Sequence, residues 1–86
     1  MPVVSLVAGR IRIWQHYRDH HPAHFHAVDG DDEVLIQIAD SAVIRGYMKP
    51  KSLAEVRNWA DTHRAELALN WVYCQHQIRL IGIRYP

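Results

Sequence analysis

The strongest constraint on the fold of this chain is a change of hydrophobic period at Pro50. Before Gly46, apolar and polar side chains alternate at every second residue, a pattern typical of strands with one buried face. After Pro50, apolar residues recur at steps of three and four, as in an amphipathic helix. We therefore predict an α+β fold: a small antiparallel β-meander packed on one face by a long C-terminal helix or two short helices, with a final β-like tail.

Five short strands are predicted in the first half of the chain. They are Val3 to Val7, an alternating segment from Arg10 to Arg18, Ala23 to Val28, Glu33 to Ala39, and Ala42 to Gly46. Pro22 separates the second strand from the third because it lacks a backbone donor. The pair Asp29-Gly30 predicts a hairpin between the third and fourth strands.

The helical stripe begins near Leu53 and lasts to about Gln75, as one helix or as two with a bend near Thr62. Ser52 and Glu55 have the spacing of a capping box at its start. His63 and Asn70 lie on the same stripe, and we expect their polar atoms to be hydrogen-bonded at the edge of the core. The alternative is that His63 reaches across to the histidines of the first half.

Composition limits the class of protein. The chain has 86 residues and is expected to form one domain, residues 1–86, with a modest core. Its single cysteine, Cys74, fits a reducing cytoplasm and is expected to be a small buried residue. No apolar segment approaches the roughly 20 residues of a membrane span. Because Met1 to Val7 also has no basic region of a signal peptide, we expect a cytoplasmic protein without a membrane partner.

Five of the seven histidines fall between His16 and His26, and the stretch from Tyr17 to His26 is the best candidate site. On a strand, His24 and His26 share a face with Cα atoms about 7 Å apart. Two imidazoles at this spacing can ligate one transition metal ion, zinc or nickel, with His20 or Asp19 from the preceding turn as the third ligand. An open fourth position would suit metal-assisted hydrolysis or oxygen chemistry.

The same histidine segment permits chemistry without a metal. With Arg18 as an anion clamp, paired histidines can cleave RNA by general acid–base catalysis. The catalytic candidates are therefore Arg18, Asp19, His20, His24 and His26. The structural alternative is that the histidines and Asp19 only fix a turn through bonds to the backbone.

A second candidate surface is the polar face of the second strand. Arg10, Arg12, Trp14 and Arg18 are interleaved so that arginines can follow a phosphate backbone while the tryptophan stacks on a base. The alternative is a solvated sheet face, which antiparallel sheets commonly have.

Three segments of the chain carry a resemblance to a known family. They are Met1-Pro2-Val3-Val4-Ser5, the motif Tyr17-Arg18-Asp19-His20-x-Pro22-x-His24-Phe25-His26-Ala27, and Trp59-Ala60-x-x-His63-Arg64-x-Glu66-Leu67-x-x-Asn70-Trp71. In this order they resemble the family of domain of unknown function 4160. The resemblance implies a small bacterial protein, often encoded beside a second small gene in toxin–antitoxin-like pairs or mobile modules. It implies no catalytic residue, and Ile78 to Tyr85 departs from the polar tail that the family leads us to expect.

Three functions remain open from the sequence. The first is a toxin-like or mobile-element module that acts on RNA or on a cognate small protein from an adjacent gene. The second is a transition-metal-binding protein or metal-dependent hydrolase that uses His20, His24 and His26. The third is a non-catalytic interaction module. A small open sheet has edges to protect, so we also expect a homodimer formed through a strand edge or the C-terminal segment.

Overall fold

A computed structural model describes residues 3–86, so the first two residues of the Met1–Ser5 motif lie outside the described part. The strands are β1 Val3–Val7, β2 Ile11–Trp14, β3 His24–Asp29, β4 Asp32–Gln37 and β5 Val43–Tyr47. Two helices follow, α1 Pro50–Thr62 and α2 Arg64–Gln75. The strands form one antiparallel sheet in the order β1-β2-β3-β4-β5. The predicted α+β meander with C-terminal helices is confirmed, in its two-helix version.

The core lies between one face of this sheet and the two helices. Alternate strand residues, among them Ile11, Ile13 and Phe25, are fully buried there, as the period-two pattern predicts. From the helices, Trp59 meets Phe25 edge-to-face with ring centroids 6.0 Å apart. Leu67 fills the same layer from α2. The helices therefore cover one face of the sheet, and Trp71 of α2 also reaches the His24 end of the opposite face.

We call the side of the sheet opposite the helices the open face. One cross-strand row of this face consists of Trp14, His26, Leu35 and Arg45, which are register partners on four successive strands. Trp14, His26 and Leu35 are partly buried, whereas Arg45 on the edge strand is exposed. This row places a histidine in the middle of the open face and an arginine at its β5 side.

The hairpin between β3 and β4 uses a two-residue loop. Asp29 pairs with Asp32, so the loop residues are Gly30 and Asp31, one residue later than the Asp29-Gly30 prediction. Gly30 has a φ of 60°, which suits a glycine at the first central position of such a turn. The tight loop fixes the register that sets His26 opposite Leu35.

The second strand is shorter than predicted. β2 ends at Trp14, and the alternation expected as far as Arg18 is lost, with Tyr17 exposed instead of facing the core. Gln15 is buried and donates its side-chain amide to the Leu67 carbonyl, 3.0 Å away. Arg18 has a φ of 57°, which turns the chain back towards β3. The loop between β2 and β3 therefore starts before the histidine segment.

The predicted capping box does not form. α1 begins at Pro50, a favoured first helical residue, and no side chain caps it. The Ser52 hydroxyl donates to Asp29 Oδ2 (2.6 Å) and accepts from Arg10 (3.0 Å), while Glu55 also pairs with Arg10 (2.7 Å). Ser52 and Glu55, the two side chains that the capping box requires, are thus bound to residues distant in sequence.

The helical stripe divides at His63, next to the predicted bend at Thr62. His63 has a φ of −111°, and its backbone N–H donates to the Trp59 carbonyl. The side chain of His63 contacts Glu66 (2.6 Å) and the Pro86 carbonyl (3.1 Å) rather than the histidines of the sheet. The edge-of-core interpretation of this residue is therefore the correct one.

Residues 78–86 form a tail that has no strand assignment but lies beside β1. The buried Ile83 donates its N–H to the Val4 carbonyl (2.7 Å) and accepts from the Ser5 hydroxyl (2.7 Å). Asn70, fully buried on α2, holds Ile81 by two hydrogen bonds of 2.9 Å, one to its carbonyl and one from its N–H. The tail thus covers the outer edge of β1. Within residues 3–86, neither helix is long and apolar enough to span a membrane.

Candidate metal centre

Asp19, His24 and His26 converge at the end of β3 nearest the β2–β3 loop. Asp19 Oδ2 lies 3.0 Å from His24 Nε2 and 3.0 Å from His26 Nε2. One ligand atom from each residue lies within 4.8 Å of the other two. No other group of three His, Cys, Asp or Glu residues meets this criterion in the described part of the chain.

Two local features bring the three side chains together. His24 and His26 are separated by one residue on β3, so they point to the same side while Phe25 enters the core. Asp19 comes from the loop, where its Oδ1 accepts the N–H of His20 (2.9 Å), and this bond directs Oδ2 towards the imidazoles. The sequence predicts the shared face, and the loop supplies the carboxylate.

The tautomer of His24 follows from its partners. Nδ1 lies 2.7 Å from the Pro22 carbonyl oxygen, which only accepts, so Nδ1 carries the proton. Nε2 is buried and has no hydrogen-bond partner among residues 3–86, although Asp19 Oδ2 is 3.0 Å away. In the neutral ring, the unprotonated Nε2 lies beside this carboxylate oxygen but outside hydrogen-bond geometry. A buried, unprotonated nitrogen next to a carboxylate oxygen is unfavourable unless a cation approaches both atoms.

His26 is held between two carboxylates. Its Nε2 is 3.0 Å from Asp19 Oδ2, and its Nδ1 is 3.3 Å from Glu33 Oε2. When Nδ1 donates to Glu33, Nε2 becomes available as a ligand, which is the carboxylate–histidine–metal arrangement common in metalloproteins. Both histidines thus have an oxygen on Nδ1 and direct Nε2 towards Asp19.

The spacing fits a metal ion. Around tetrahedral zinc, with bonds of about 2.0–2.2 Å, neighbouring ligand atoms are about 3.3–3.4 Å apart. The two Asp19–histidine distances of 3.0 Å would widen by a few tenths of an ångström, and the two histidine ligand atoms, which lie within 4.8 Å of each other, would adopt the same spacing. Two imidazoles and one carboxylate leave at least one coordination position open, as in catalytic zinc sites and two-histidine–one-carboxylate iron sites.

The electrostatics of the cluster favour an ionised carboxylate. In the metal-free protein, burial raises the pKa of Asp19, but hydrogen bonds to it from His26 Nε2 and from the His20 N–H, with the nearby charge of the histidines, lower it by more. The net shift of the Asp19 pKa is downward, so the residue is a carboxylate at neutral pH. A metal ligand requires this form.

His16 and Trp71 enclose the trio. The His16 ring stands edge-on to the His26 ring with centroids 4.1 Å apart, and the Trp71 ring is 5.4 Å from His24. Burial, and then the neighbouring His26, lower the pKa of His16, which keeps its ring neutral. Sequence reasoning did not include either residue in the site, because their proximity depends on sheet register and on the docking of α2.

A cleft opens beside the cluster. It encloses about 250 Å³ and is lined by residues of the β2–β3 loop and of strands β3 to β5. Those lining residues are Asp19, His20, His21, Pro22, His24, His26, Leu35, Ile44 and Arg45. A second cleft of about 310 Å³ shares His26, Leu35 and Arg45 with the first. The cleft therefore lies next to the partly exposed Asp19 and His26, whereas His24 Nε2 is buried.

The structure separates the other predicted site residues from the trio. His20 lines the cleft, but it is exposed and Asp19 occupies the third position of the cluster. The Arg18 side chain lies against the side-chain amide of Gln77, past the end of α2. Of the two ligand sets that the sequence leaves open, the geometry favours the one with Asp19.

The predicted nucleic-acid surface is not continuous. Arg10 pairs with Glu55 at the start of α1, and Arg18 lies in the loop. Arg12 and Trp14 remain together on the open face, with the guanidinium 5.9 Å from the indole centroid. Cys74 is buried as expected, and burial, followed by the charge of Asp19, raises the pKa of its thiol.

Comparison with known proteins identifies one family. The sequence model of the family described as Domain of unknown function (DUF4160) matches residues 9–72, which include the whole cluster and most of both helices. No curated protein and no solved structure matches the chain.

Proposed function

Because the chain belongs to the DUF4160 family, whose description names no activity, we propose a function from the geometry of the site. The protein binds one divalent transition metal ion, zinc or nickel, through Asp19, His24 and His26. The ion activates water at its open position for hydrolysis of a small substrate. This is the metal-dependent alternative of the sequence analysis, with Asp19 in place of His20.

The contact between His24 Nε2 and Asp19 Oδ2 supports this proposal most strongly. The Pro22 carbonyl assigns the proton to Nδ1, so the buried Nε2 lone pair lacks a donor among the described residues. A salt bridge between protonated His24 and Asp19 would place a proton on the line between Nε2 and Oδ2. The contact between these two atoms lies outside hydrogen-bond geometry. A metal ion accepts both lone pairs and accounts for both histidine orientations.

Hydrolysis is the chemistry that such an ion supplies best. A divalent ion with three protein ligands lowers the pKa of bound water to near neutrality and polarises a carbonyl or phosphoryl oxygen. The cleft of about 250 Å³ admits a small substrate next to the ligands.

Metal content of the purified, untagged protein tests the proposal. We expect one equivalent of zinc or nickel after reconstitution, and a visible spectrum of low-coordinate cobalt when Co²⁺ replaces the ion. His24→Gln removes the ligand nitrogen and should abolish both signals. His76→Gln is the matched control, because His76 is exposed at the end of α2.

A third variant separates the two ligand sets. His20→Gln should keep full metal binding if Asp19 is the third ligand, and should lose it if His20 is. Wild-type protein that takes up less than a tenth of an equivalent of zinc, nickel and cobalt would refute the metal proposal.

Trp14 supports a second function for the open face. Its indole Nε1 is buried without a hydrogen-bond partner among the described residues, and Arg12 lies over its ring. We propose that this surface contacts RNA or a cognate small protein from an adjacent gene, in a toxin–antitoxin-like or mobile-element module. Expression with and without the neighbouring gene tests it. A toxic effect that Trp14→Ala removes supports the proposal, and unchanged growth and bulk RNA in all strains contradict it.

The edge strand β5 supports a homodimer. All five residues of β5 are exposed, including Val43, Ile44 and Tyr47, whereas the tail covers β1 at the other edge. Exposed apolar edges favour pairing with another strand. We expect a mass near twice the monomer's 10.0 kDa by light scattering at about 0.1 mM. A mass of one chain at that concentration would contradict the dimer.

A further inference from the structure

We propose that Arg45 forms an oxyanion subsite beside the metal centre, so that the substrate carries a phosphoryl or carboxylate group. The inference rests on the proposed metal function and names its substrate class. Arg45 is assigned here as a specificity-determining residue that binds substrate and not metal.

The position of Arg45 follows from strand register. His26, Leu35 and Arg45 are direct partners across β3, β4 and β5, on the same side of the sheet. Adjacent strands lie about 4.8 Å apart, so the Cα atoms of His26 and Arg45 are separated by about 10 Å. The long side chain of Arg45 can reach across Leu35 towards the ion, so a substrate bound there needs its anionic group only a few bonds from the reacting atom.

Arg45 is the one arginine or lysine among the residues that line the two clefts. Its guanidinium has no ion pair among the salt bridges within residues 3–86, whereas Arg10 and Arg64 are both paired. The nearby carboxylates of Asp19 and Glu33 contact His26 and form no ion pair with Arg45. The Arg45 guanidinium is therefore available to a ligand.

The charge of the loaded cleft favours an anion. Two neutral imidazoles and one carboxylate leave a divalent ion with a net positive charge, and Arg45 adds a second positive group at the other side. Guanidinium binds carboxylate and phosphate oxygens through two parallel hydrogen bonds, which positions a planar or tetrahedral oxyanion. Leu35 lies between the two charges and gives the site an apolar floor.

The size and walls of the cleft restrict the substrate further. A volume of about 250 Å³ lies just below the usual range of ligand pockets, about 300–1,000 Å³. Pro22 and Ile44 add apolar walls. The structure therefore fits a small anionic ester or amide with a short apolar group better than a long polymer.

Anion titration of the cobalt-loaded protein tests the subsite. Inorganic phosphate and acetate are the probes, and the visible spectrum of the bound Co²⁺ reports their arrival. We expect phosphate or acetate to bind wild type, and Arg45→Gln to weaken that binding about 10- to 100-fold, the range for a lost charge-assisted hydrogen bond. Arg45→Lys, which keeps the charge without the two-point geometry, should fall between them.

Co²⁺ affinity is measured for each variant before the anion titration. It should be unchanged in Arg45→Gln and in the control Arg57→Gln, which alters an exposed arginine on α1. The stronger of the two probes identifies the group as phosphoryl or carboxylate. Anion binding within twofold of wild type in Arg45→Gln overturns the subsite while leaving the metal centre intact. Wild-type protein that does not bind Co²⁺ overturns both proposals.

Discussion

Replacing Asp19 by Asn gives the sharpest test of how the cluster is arranged. Asn keeps an oxygen to accept the His20 N–H and places an amide group where Oδ2 faces the two Nε2 atoms. That amide can donate hydrogen bonds to the two Nε2 atoms, whereas a carboxylate oxygen can only accept. The two neutral hydrogen bonds gained are worth about 0.5–1.5 kcal/mol each and the charge-assisted bond lost about 1.5–3 kcal/mol, so the gain and the loss nearly cancel. The metal-free variant should therefore unfold with a free energy within about 1 kcal/mol of wild type.

Zinc should separate the two proteins. At a zinc concentration about 100 times the dissociation constant, binding stabilises wild type by about 2.7 kcal/mol. For a domain of this size, 1 kcal/mol corresponds to roughly 4–8 °C, so the melting temperature should rise by about 10–20 °C. Asp19→Asn loses the anionic ligand and should show almost none of this rise. Asp61→Asn, which alters an exposed carboxylate on α1, should keep all of it.

Thermal denaturation with and without zinc, followed by circular dichroism, measures both quantities. A zinc-dependent rise in Asp19→Asn equal to that of wild type would show that Asp19 is not a ligand. A loss of about 3–5 kcal/mol in the metal-free variant would identify a buried ion pair between Asp19 and protonated histidine instead. Either result contradicts the arrangement derived from the His24 tautomer.

Three further predictions concern the scaffold. Asn70→Ala leaves the N–H and carbonyl of Ile81 without partners, so the free energy of unfolding should fall by about 2–4 kcal/mol. Urea titration measures this loss, and a value below about 0.5 kcal/mol would contradict the prediction. Gly46→Ala places a Cβ against a backbone carbonyl of β4 at a φ of 91°, so we expect a loss of at least about 2 kcal/mol by thermal denaturation, and a neutral effect would refute it. Hydrogen bonds from Ser41 and Arg64 lower the pKa of Asp61 below 3.8. The stability that Asp61 adds is complete above its unfolded pKa and is lost as pH falls through the folded value, so wild type should exceed Asp61→Asn at about pH 6 and converge with it near pH 2; a constant difference would contradict this.

Hydrophobic period was sufficient to predict the architecture of this chain. Alternation places Ile11, Ile13 and Phe25 in the core, and the three- and four-residue steps bring Trp59 and Leu67 to the same layer. Such patterns predict which side of a strand or helix is buried. The prediction succeeds here because all of these elements pack against one core. Local motifs were less reliable where tertiary partners compete. The capping box failed because the Ser52 hydroxyl binds groups distant in sequence.

Only the local part of the candidate site could be predicted from the sequence. Spacing on a strand places His24 and His26 on one side, since that requires only local geometry. The choice between Asp19 and His20 depends on the path of the loop after Trp14, which includes the positive φ of Arg18. The approach of His16 to His26 depends on the β2–β3 register. A periodic pattern of apolar residues does not predict the path of this loop or the β2–β3 register. The sequence therefore left the third ligand open between Asp19 and His20.

The tail beside β1 limits which strand edges are open to a second copy of the chain in the proposed homodimer. A meander has two edges, and each uncovered edge is a point at which one more strand can add. With Ile83 bonded to Val4, one of these points is occupied from within the chain, which leaves β5 alone. In the proposed homodimer, pairing through the open edge at β5 closes after two chains, whereas two unequal open edges would allow head-to-tail growth. The contact of residues 78–86 with β1 therefore favours a closed dimer over a filament in that proposal.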